Sequence, residues 1–476
     1  TYGLLRYLNP EVALAGSDPD IGFNYLGRLG GGTAGLSDEL WRPSPNSPSL
    51  SAAAATLALP LPHTLELNAG TMETDDGPEL LANWTWAPSA LTRGEAKRLS
   101  RLWFEALAGI CALVRRGVGG LTPSDIAPAR LSQQQIDQLE RQYDVADILP
   151  LTPLQQGLLF HATAGQGDAD VYAVQLNITL RGALDSHRLQ RALDTVVTRH
   201  PNLAARFCSD FGDPVQIIPG AADLAYQHVE IRGGDVEEQV QRLCTAERVA
   251  ARKLGADPPL RAALIRTADH EHRFLVTVHH IVMDGWSLPI LLQEIFACYY
   301  GSRLPTALPY RGFVTWLADR DVAAARQAWR AALDGFDTPT MVGPAGRIGL
   351  GPRAVATLQL TAETTSALGE LARSCRTTVN TVLQAAWAQL LMWQTGQRDV
   401  AFGTAVSGRP ADLPGAESMV GLLINTVPVR ARVTAASTVA DLLGQLQRAH
   451  NDTLEHQHLA LNEIHRITGH DQLFDS

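Results

Sequence analysis

The sequence predicts an α/β fold, an α+β sandwich built of two similar lobes, and three observations carry that expectation. Runs with β-branched residues and alternating faces, among them Val171–Leu180 and Phe274–His280, are interleaved with amphipathic helices. Ser186–His200 is such a helix, with Leu189, Leu193 and Val197 on one stripe. A second set follows: Thr378–Thr395 reads as a long apolar helix, and Val400–Ser407 and Leu422–Val429 read as strands. The length of 476 residues exceeds one ordinary domain and predicts two or three compact units. Mixed elements of this kind bury their apolar faces against one another in layers.

The chain opens at Thr1 without an initiator Met, in what reads as the middle of a helix, and is expected to be a piece of a longer protein. Ile21–Gly27 reads as a short strand running into Gly30-Gly31-Gly32. That turn lacks the GxxxxGK[ST] pattern of a phosphate loop, and no helix signal follows it. His63–Ala69 and Leu81–Trp86 are expected strands, and from Thr92 the spacing of Glu95, Leu99, Leu102, Trp103 and Leu107 is helical up to Gly117–Gly120. Residues 121–142 read as a linker: Thr122-Pro123-Ser124-Asp125 and Pro128 break regular structure, and a short polar helix capped by Ser132 runs to Tyr143. The first lobe of the next domain is placed at 143–316, with a further strand near Val215–Ile218. A helix starts at Ser287, tolerates Pro289 in its first turn, and is closed by Gly301. Tyr310–Trp316 and a helix through Leu333 lead into the second lobe, 317–476.

Composition excludes several functions. Hydrophobic residues at 45% and charged residues at 18% are those of a globular protein. The net charge of -10 is spread without blocks, and the only lysines are Lys97 and Lys253, so no nucleic-acid surface is expected. Cys111, Cys208, Cys244, Cys298 and Cys375 are odd in number and lack CxxC spacing, which argues against a zinc site or a disulfide framework. Free thiols fit a reducing compartment, and a cytoplasmic location is expected. No signal peptide and no apolar run of membrane-spanning length is read.

The sharpest chemical feature is Val276–Ser287, where a β-branched strand meets a turn and then a helix N-terminus. Neighbouring strand residues point to opposite faces. His280 therefore shares a face with Phe274, Val276 and Val278, and His279 shares one with Leu275 and Thr277. One imidazole can serve a reacting group while the other is structural. Asp284 follows the strand and can turn back to fix the loop or pair with an arginine. Residue types alone fit a buried strand end with a satisfied His pair equally well, and adjacent strand histidines cannot share a metal.

HHIVMDGWS at His279–Ser287 resembles the HHxxxDG signature of condensation domains of nonribosomal peptide synthetases, which are similar in fold to chloramphenicol acetyltransferase. Further segments resemble that family in its order: Leu151–His161 its opening motif, Arg199–Phe207 its RHxxLRxxF element with Ala204 in place of Arg, and Tyr310–Trp316 the stretch before the second lobe. Val420–Thr426 resembles its GxxxNT strand, and His456-Gln457-His458 its short polar-aromatic motif. The resemblance covers about 143–476 and stops at Leu473–Ser476, before the family's last motif, so an incomplete second lobe is expected. Gly22–Arg28, Leu65–Gly70 and Asn83–Trp86 resemble the terminal part of an epimerization domain of the same superfamily, which assigns 1–120 to a partial homologous lobe.

The resemblance implies amide-bond formation between an upstream peptidyl thioester and a downstream aminoacyl amine. Both would ride on phosphopantetheine arms of peptidyl carrier domains, with an adenylation domain in the following module and no cofactor held covalently by this chain. A preceding epimerization domain implies a donor ending in a D-residue. His280 is implied to be catalytic, beside His279, Asp284 and Gly285. Asp284 is expected to organise the motif, paired with Arg199, and a backbone N–H near Gly285 to meet the oxyanion. Trp286 and Ser287 are expected to support the site, and Asn425 either to line the channel or to satisfy backbone. Two alternatives stand: an epimerization domain of the same fold, against which Asp284-Gly285-Trp286-Ser287 argues, and a degenerate domain that only recruits a partner. A heterocyclization domain would carry acids where His279 and His280 stand.

Overall fold

The computed structural model describes residues 19–29, 63–74, 77–115, 119–164, 172–222, 224–231, 233–252, 254, 257–342, 356–469 and 472–474. The expected opening helix, the Gly30–Gly32 turn and the first residue of the Val171 strand lie outside the described residues. The chain divides into two compact units, Thr1–Gly119 and Gly120–Ser476.

In the first unit β1 (Ile21–Leu29), β2 (Leu65–Thr74) and β3 (Gly77–Trp86) form a three-stranded sheet, β1 parallel and β3 antiparallel to the central β2. Helix α1 (Arg93–Arg115) follows, entered through Thr92, whose N–H donates to Glu95 Oε2 at 2.8 Å while its hydroxyl accepts from the Glu95 N–H at 3.3 Å. Trp103 of α1 meets Trp84 of β3 edge to face, with ring centroids 6.1 Å apart.

The second unit opens with the segment read as a linker, and here the structure differs. Ile126, Ala129, Leu131, Ile136 and Leu139 are buried in one cluster with Ile148, Val215 and Ile217. The two prolines break periodicity without making the stretch polar, so it folds onto its neighbour as an irregular apolar cover. Helix α2 (Gln133–Gln142) closes it, with the expected Ser132 cap completed into a capping box by Gln135.

The first lobe runs β4 (Val145–Pro150), α3 (Pro153–Ala164), β5 (Ala173–Arg181), α4 (Ser186–Arg199), β6 (Arg206–Cys208), β7 (Val215–Pro219), β8 (Ala225–Glu230), α5 (Val236–Ala251), β9 (Leu260–Ala268), β10 (Glu271–His279), α6 (Ser287–Tyr299) and α7 (Arg311–Ala318). Its main sheet has the order β5-β10-β9-β8, antiparallel about β10 and parallel between β8 and β9; β4-β7-β6 form a smaller one. The period of two along β10 sorts its side chains. Phe274, Val276 and Val278 enter the core with Leu189 and Leu193 of α4 and Leu291 and Ile295 of α6, whereas Leu275 packs with Val240 and Cys244 of α5.

The second lobe contains α8 (Val322–Ala332), α9 (Ala362–Ser374), α10 (Val379–Thr395), β11 (Asp399–Val406), β12 (Asn425–Arg432), α11 (Val439–Thr453) and α12 (Leu461–Thr468). Antiparallel β11 and β12 are covered on one face by Val382, Ala385, Leu391, Leu442 and Leu446, and on the other by Trp329, Phe336 and Ile464. Helix α10 starts at its Thr378 cap and ends at Gly396, which takes φ +71°. The strand expected from Leu422 begins only at Asn425. The Leu423 and Ile424 N–H groups are diverted to a carboxylate of the first lobe, which keeps them out of the ladder.

Candidate active site

Strand β10 ends at His279, and the turn that follows carries the site. His279 is fully buried, and its Nδ1 accepts from the Ile281 N–H at 3.1 Å. His280 retains exposed surface. Its backbone N–H is held by Tyr172 O at 2.9 Å and its Nδ1 lies 3.1 Å from Met283 O. A carbonyl only accepts, so Nδ1 carries the proton and Nε2 carries the lone pair. The two rings thus differ in burial: His279 is enclosed in the protein, and His280 is only partly buried.

Asp284 is buried and fully committed. Oδ1 accepts from the Ser287 N–H and hydroxyl, both at 2.8 Å, and from Arg409 Nη2 at 3.2 Å. Oδ2 accepts from the Leu423 and Ile424 N–H groups at 3.0 and 3.3 Å. The single Ser287 hydroxyl proton is shared between Asp284 Oδ1 and Gly421 O, the latter at 2.9 Å, and the oxygen accepts from the Gly421 N–H at 3.1 Å. Burial pulls the Arg409 guanidinium below its usual range, with the charge of Asp284 opposing that pull. The segment from Ser407 to Ile424, which joins β11 to β12, therefore crosses from the second lobe to hold the motif of the first. Gly408 lets the two ends of this segment lie against each other: at φ +61° a Cβ there would stand 1.6 Å from Leu423 O.

The expected Asp284–Arg199 pair is not formed. Arg199, near the end of α4, donates to Glu294 Oε2 and Oε1 at 3.2 and 3.3 Å and to Pro305 O at 2.7 Å, and His200 Nε2 joins the same Glu294 at 2.8 Å. Arg199 and Glu294 face each other across the packed α4–α6 pair, so this cation is spent on joining helices. Burial works to raise the Glu294 carboxyl, but the hydrogen bonds and charge of His200 and Arg199 outweigh it and hold it at about 2, below its ordinary 4.5. A carboxyl depressed on folding stabilises the fold above its unfolded value and loses that contribution as pH falls through the folded one. Glu294→Gln is expected to lower the unfolding free energy by on the order of 2–3 kcal/mol near neutral pH. Urea denaturation at stepped pH should show the gap to the wild type closing between about 4.5 and about 2. A gap that stays constant over that range would contradict this account.

Gly285 is exposed, and no atom lies within 4 Å of the place its Cβ would take, so open space stands directly ahead of α6. Trp286 is 55% exposed beneath the Arg409 guanidinium, 5.8 Å from its ring centroid. Asn425 Nδ2 donates to Gln457 O and Leu459 O at 2.7 and 2.8 Å, which satisfies backbone. It also lines a cavity of about 410 Å³ bordered by Thr152, Trp316, Arg409, Ile424 and His458; His280 is not part of that lining. Among the described residues no group of three His, Cys, Asp or Glu could hold a metal ion, and no helix is long and apolar enough to cross a membrane.

Sequence reasoning missed Arg409, because one arginine in a Gly-Arg-Pro turn has no periodicity or charge pattern to mark it. It also gave no role to Gln155, although the surrounding Leu151–His161 carries a motif. The Gln155 side chain reaches Ile281 O, 126 positions away, at 2.9 Å.

Comparison with known proteins matches these features. The family model described as "Condensation domain" matches residues 145–476. Chondramide synthase cmdD of Chondromyces crocatus is 32% identical over an alignment of 532 positions, covering 100% of this chain and 13% of that protein. Vanchrobactin synthetase VabF of Vibrio anguillarum is 31% identical over 500, covering 100% of the chain and 17% of that protein. This chain thus spans a small part of the relatives it matches. Among solved structures, the first condensation domain of the calcium-dependent antibiotic synthetase, in complex with a substrate analogue, superposes with a TM-score of 0.54 at 24% identity, covering 69% of this chain and 80% of that one. The condensation domain of the Monacolin K polyketide synthase MokA gives 0.58 at 19%, covering 70% and 78%. With two lobes of the same fold, the HHxxxDG turn between strand and helix, and a family match over most of its length, this chain belongs to the condensation domain family of nonribosomal peptide synthetases.

Proposed function

We propose that this domain joins an upstream carrier-bound peptidyl thioester to a downstream carrier-bound aminoacyl amine, and that the orientation of His280 carries the reading. Its Nδ1–H on Met283 O leaves Nε2 of the neutral ring as the atom able to accept a proton, and the residue is only partly buried. The attacking amine, with an unperturbed pKa of about 7.7–8.0, is already partly neutral near pH 7, so a strong base is unnecessary. His280 orients that amine and takes its proton as the nitrogen–carbon bond forms. The carbon–sulfur bond then breaks, and the proton passes to the departing thiolate. The tetrahedral oxyanion meets the Gly285 N–H at the open entrance to α6. Asp284 holds the turn from behind and does not touch substrate. Phosphopantetheine arms of the two carrier domains bring both reactants, so both are substrates here.

The segment 1–120 is read as the terminal part of an epimerization domain; the alignments with the chondramide and vanchrobactin enzymes extend over all of this chain, that segment included. A donor ending in a D-residue follows from that order. With loaded donor and acceptor carriers flanking the domain, the acceptor is expected to be elongated by the donor acyl group, and D-terminal donors to be used at least about tenfold faster than L, a difference of about 1.4 kcal/mol. Equal or L-preferring use would remove the D-donor assignment. Deuterium uptake at the donor α-carbon without elongation would replace condensation by epimerization.

A further inference from the structure

We infer that Gln155 is a positioning residue for His280, acting through the peptide that follows the histidine. This rests on the condensation reading above. Gln155 sits in the first turn of α3, far from the motif in sequence, and is 1% exposed. Its Nε2 donates to Ile281 O at 2.9 Å and to Gln216 Oε1 at 3.4 Å. Its Oε1 accepts from the Thr152 N–H at 2.9 Å and from Gln216 Nε2 at 3.1 Å. Gln216, also 1% exposed, donates in addition to Pro150 O at 3.0 Å. The two amides face each other in the core with every strong hydrogen-bonding capacity of Gln155 engaged.

Residue 281 is therefore gripped at both polar atoms. Its N–H goes to His279 Nδ1 and its carbonyl to Gln155. The residue before it is His280, whose own N–H is held by Tyr172 O and whose ring is tied to Met283 O. Rotation about the bonds of residue 281 would carry the His280–Met283 contact with it, so the clamp fixes the direction of the Nε2 lone pair. A buried amide pair is an expensive way to fill a core, because each unmade bond of a buried polar group costs about 1–3 kcal/mol. Leucine at 155 would fill similar space without any such requirement. The geometry assigns the amides the task of orienting the turn: displacements of about 1 Å at a reacting group can lower the rate by about a hundredfold.

The test compares Gln155→Leu with the wild type and with His280→Ala in the multidomain protein, with loaded carriers on both sides. Gln155→Leu is expected to remain folded, with kcat reduced roughly 10–100-fold and KM within about twofold, because positioning acts in the transition state. Gln155→Glu supplies the second arm. Its protonated carboxyl can donate to Ile281 O, while the ionised form cannot, and burial raises its pKa. Its kcat relative to the wild type should therefore rise as pH is lowered from about 8 to about 6. Should Gln155→Leu fail to fold, this pH profile decides. Overturning results are a kcat within twofold of wild type for Gln155→Leu, a loss carried by KM alone, or a flat relative profile for Gln155→Glu. If His280→Ala itself keeps full activity, the condensation mechanism fails; if His280→Ala is impaired and the Gln155 variants are not, only the clamp fails.

Discussion

His280→Ala is expected to lower the rate of amide formation by about 10²–10⁴-fold while leaving the fold intact. The size follows from what the ring supplies. Holding an amine beside a thioester removes roughly 7–11 kcal/mol of barrier through proximity, and most of that survives the substitution because the carriers and the cleft still bring the reactants together. What disappears is the proton acceptor and the contact that aims the amine lone pair. The ring is partly exposed and its ties are to Met283 O and, through the backbone, to Tyr172 O, so its removal leaves no buried charge behind. Single-turnover kinetics with saturating loaded carriers measure the effect. A variant that elongates the acceptor at the wild-type rate would end the proton-acceptor role.

Arg409→Ala is the matching test of the scaffold, with an expected loss of roughly 3–5 kcal/mol in unfolding free energy. Asp284 and Arg409 have side chains only 0% and 2% exposed, and the carboxylate keeps four backbone or hydroxyl donors when the arginine goes. Those donors cannot neutralise it, so a charge is left in a medium of low dielectric. Arg409 Nη1 also holds Ala416 O at 3.1 Å, and truncation would release that turn. The double variant Asp284→Asn/Arg409→Met removes both charges yet keeps an amide oxygen to accept from those donors, and should be less destabilised than Arg409→Ala. Urea denaturation of the wild type and the two variants decides: a double variant more destabilised than Arg409→Ala, or a loss below about 1 kcal/mol for Arg409→Ala, would mean that the pair is solvated in solution.

What was readable in the sequence and what was not separates along physical lines. Helices with a regular apolar stripe and a capping side chain, such as Ser186–Arg199 after Asp185 and Val379–Thr395 after Thr378, carry local signals and begin within a residue of expectation. Strand alternation accounts for the burial of His279 with Leu275 and Thr277, whereas β10 ends at His279 and His280 already belongs to the turn. The partners of Asp284 are another matter. Apart from Ser287, they come from 125 to 140 positions downstream, through a segment with no periodicity, and nearness in sequence favours no particular arginine. Arg199 was the wrong choice because its partner, Glu294, belongs to a helix-helix contact that only the packing of α4 on α6 creates. The late start of β12 has the same origin: β-propensity marked Leu422–Ile424 as strand, and a carboxylate in the other lobe took the Leu423 and Ile424 N–H groups. Residues 121–142 misled for the opposite reason, since Pro123 and Pro128 signal a break in regularity and say nothing about burial.

The stretch from Ser407 to Ile424 has a mechanical meaning. It acts as a rivet driven from one lobe into the other, its shank made of a guanidinium and two backbone N–H groups closed on a single carboxylate, with the Ser287 hydroxyl of the first lobe accepting from the same guanidinium. Prying the lobes apart at this point would strand ions in protein or drag them into water, so any rocking of the halves must pivot here and open at the far rim. The acid of the motif thereby ties the turn that carries His280 to the second lobe as well as to its own.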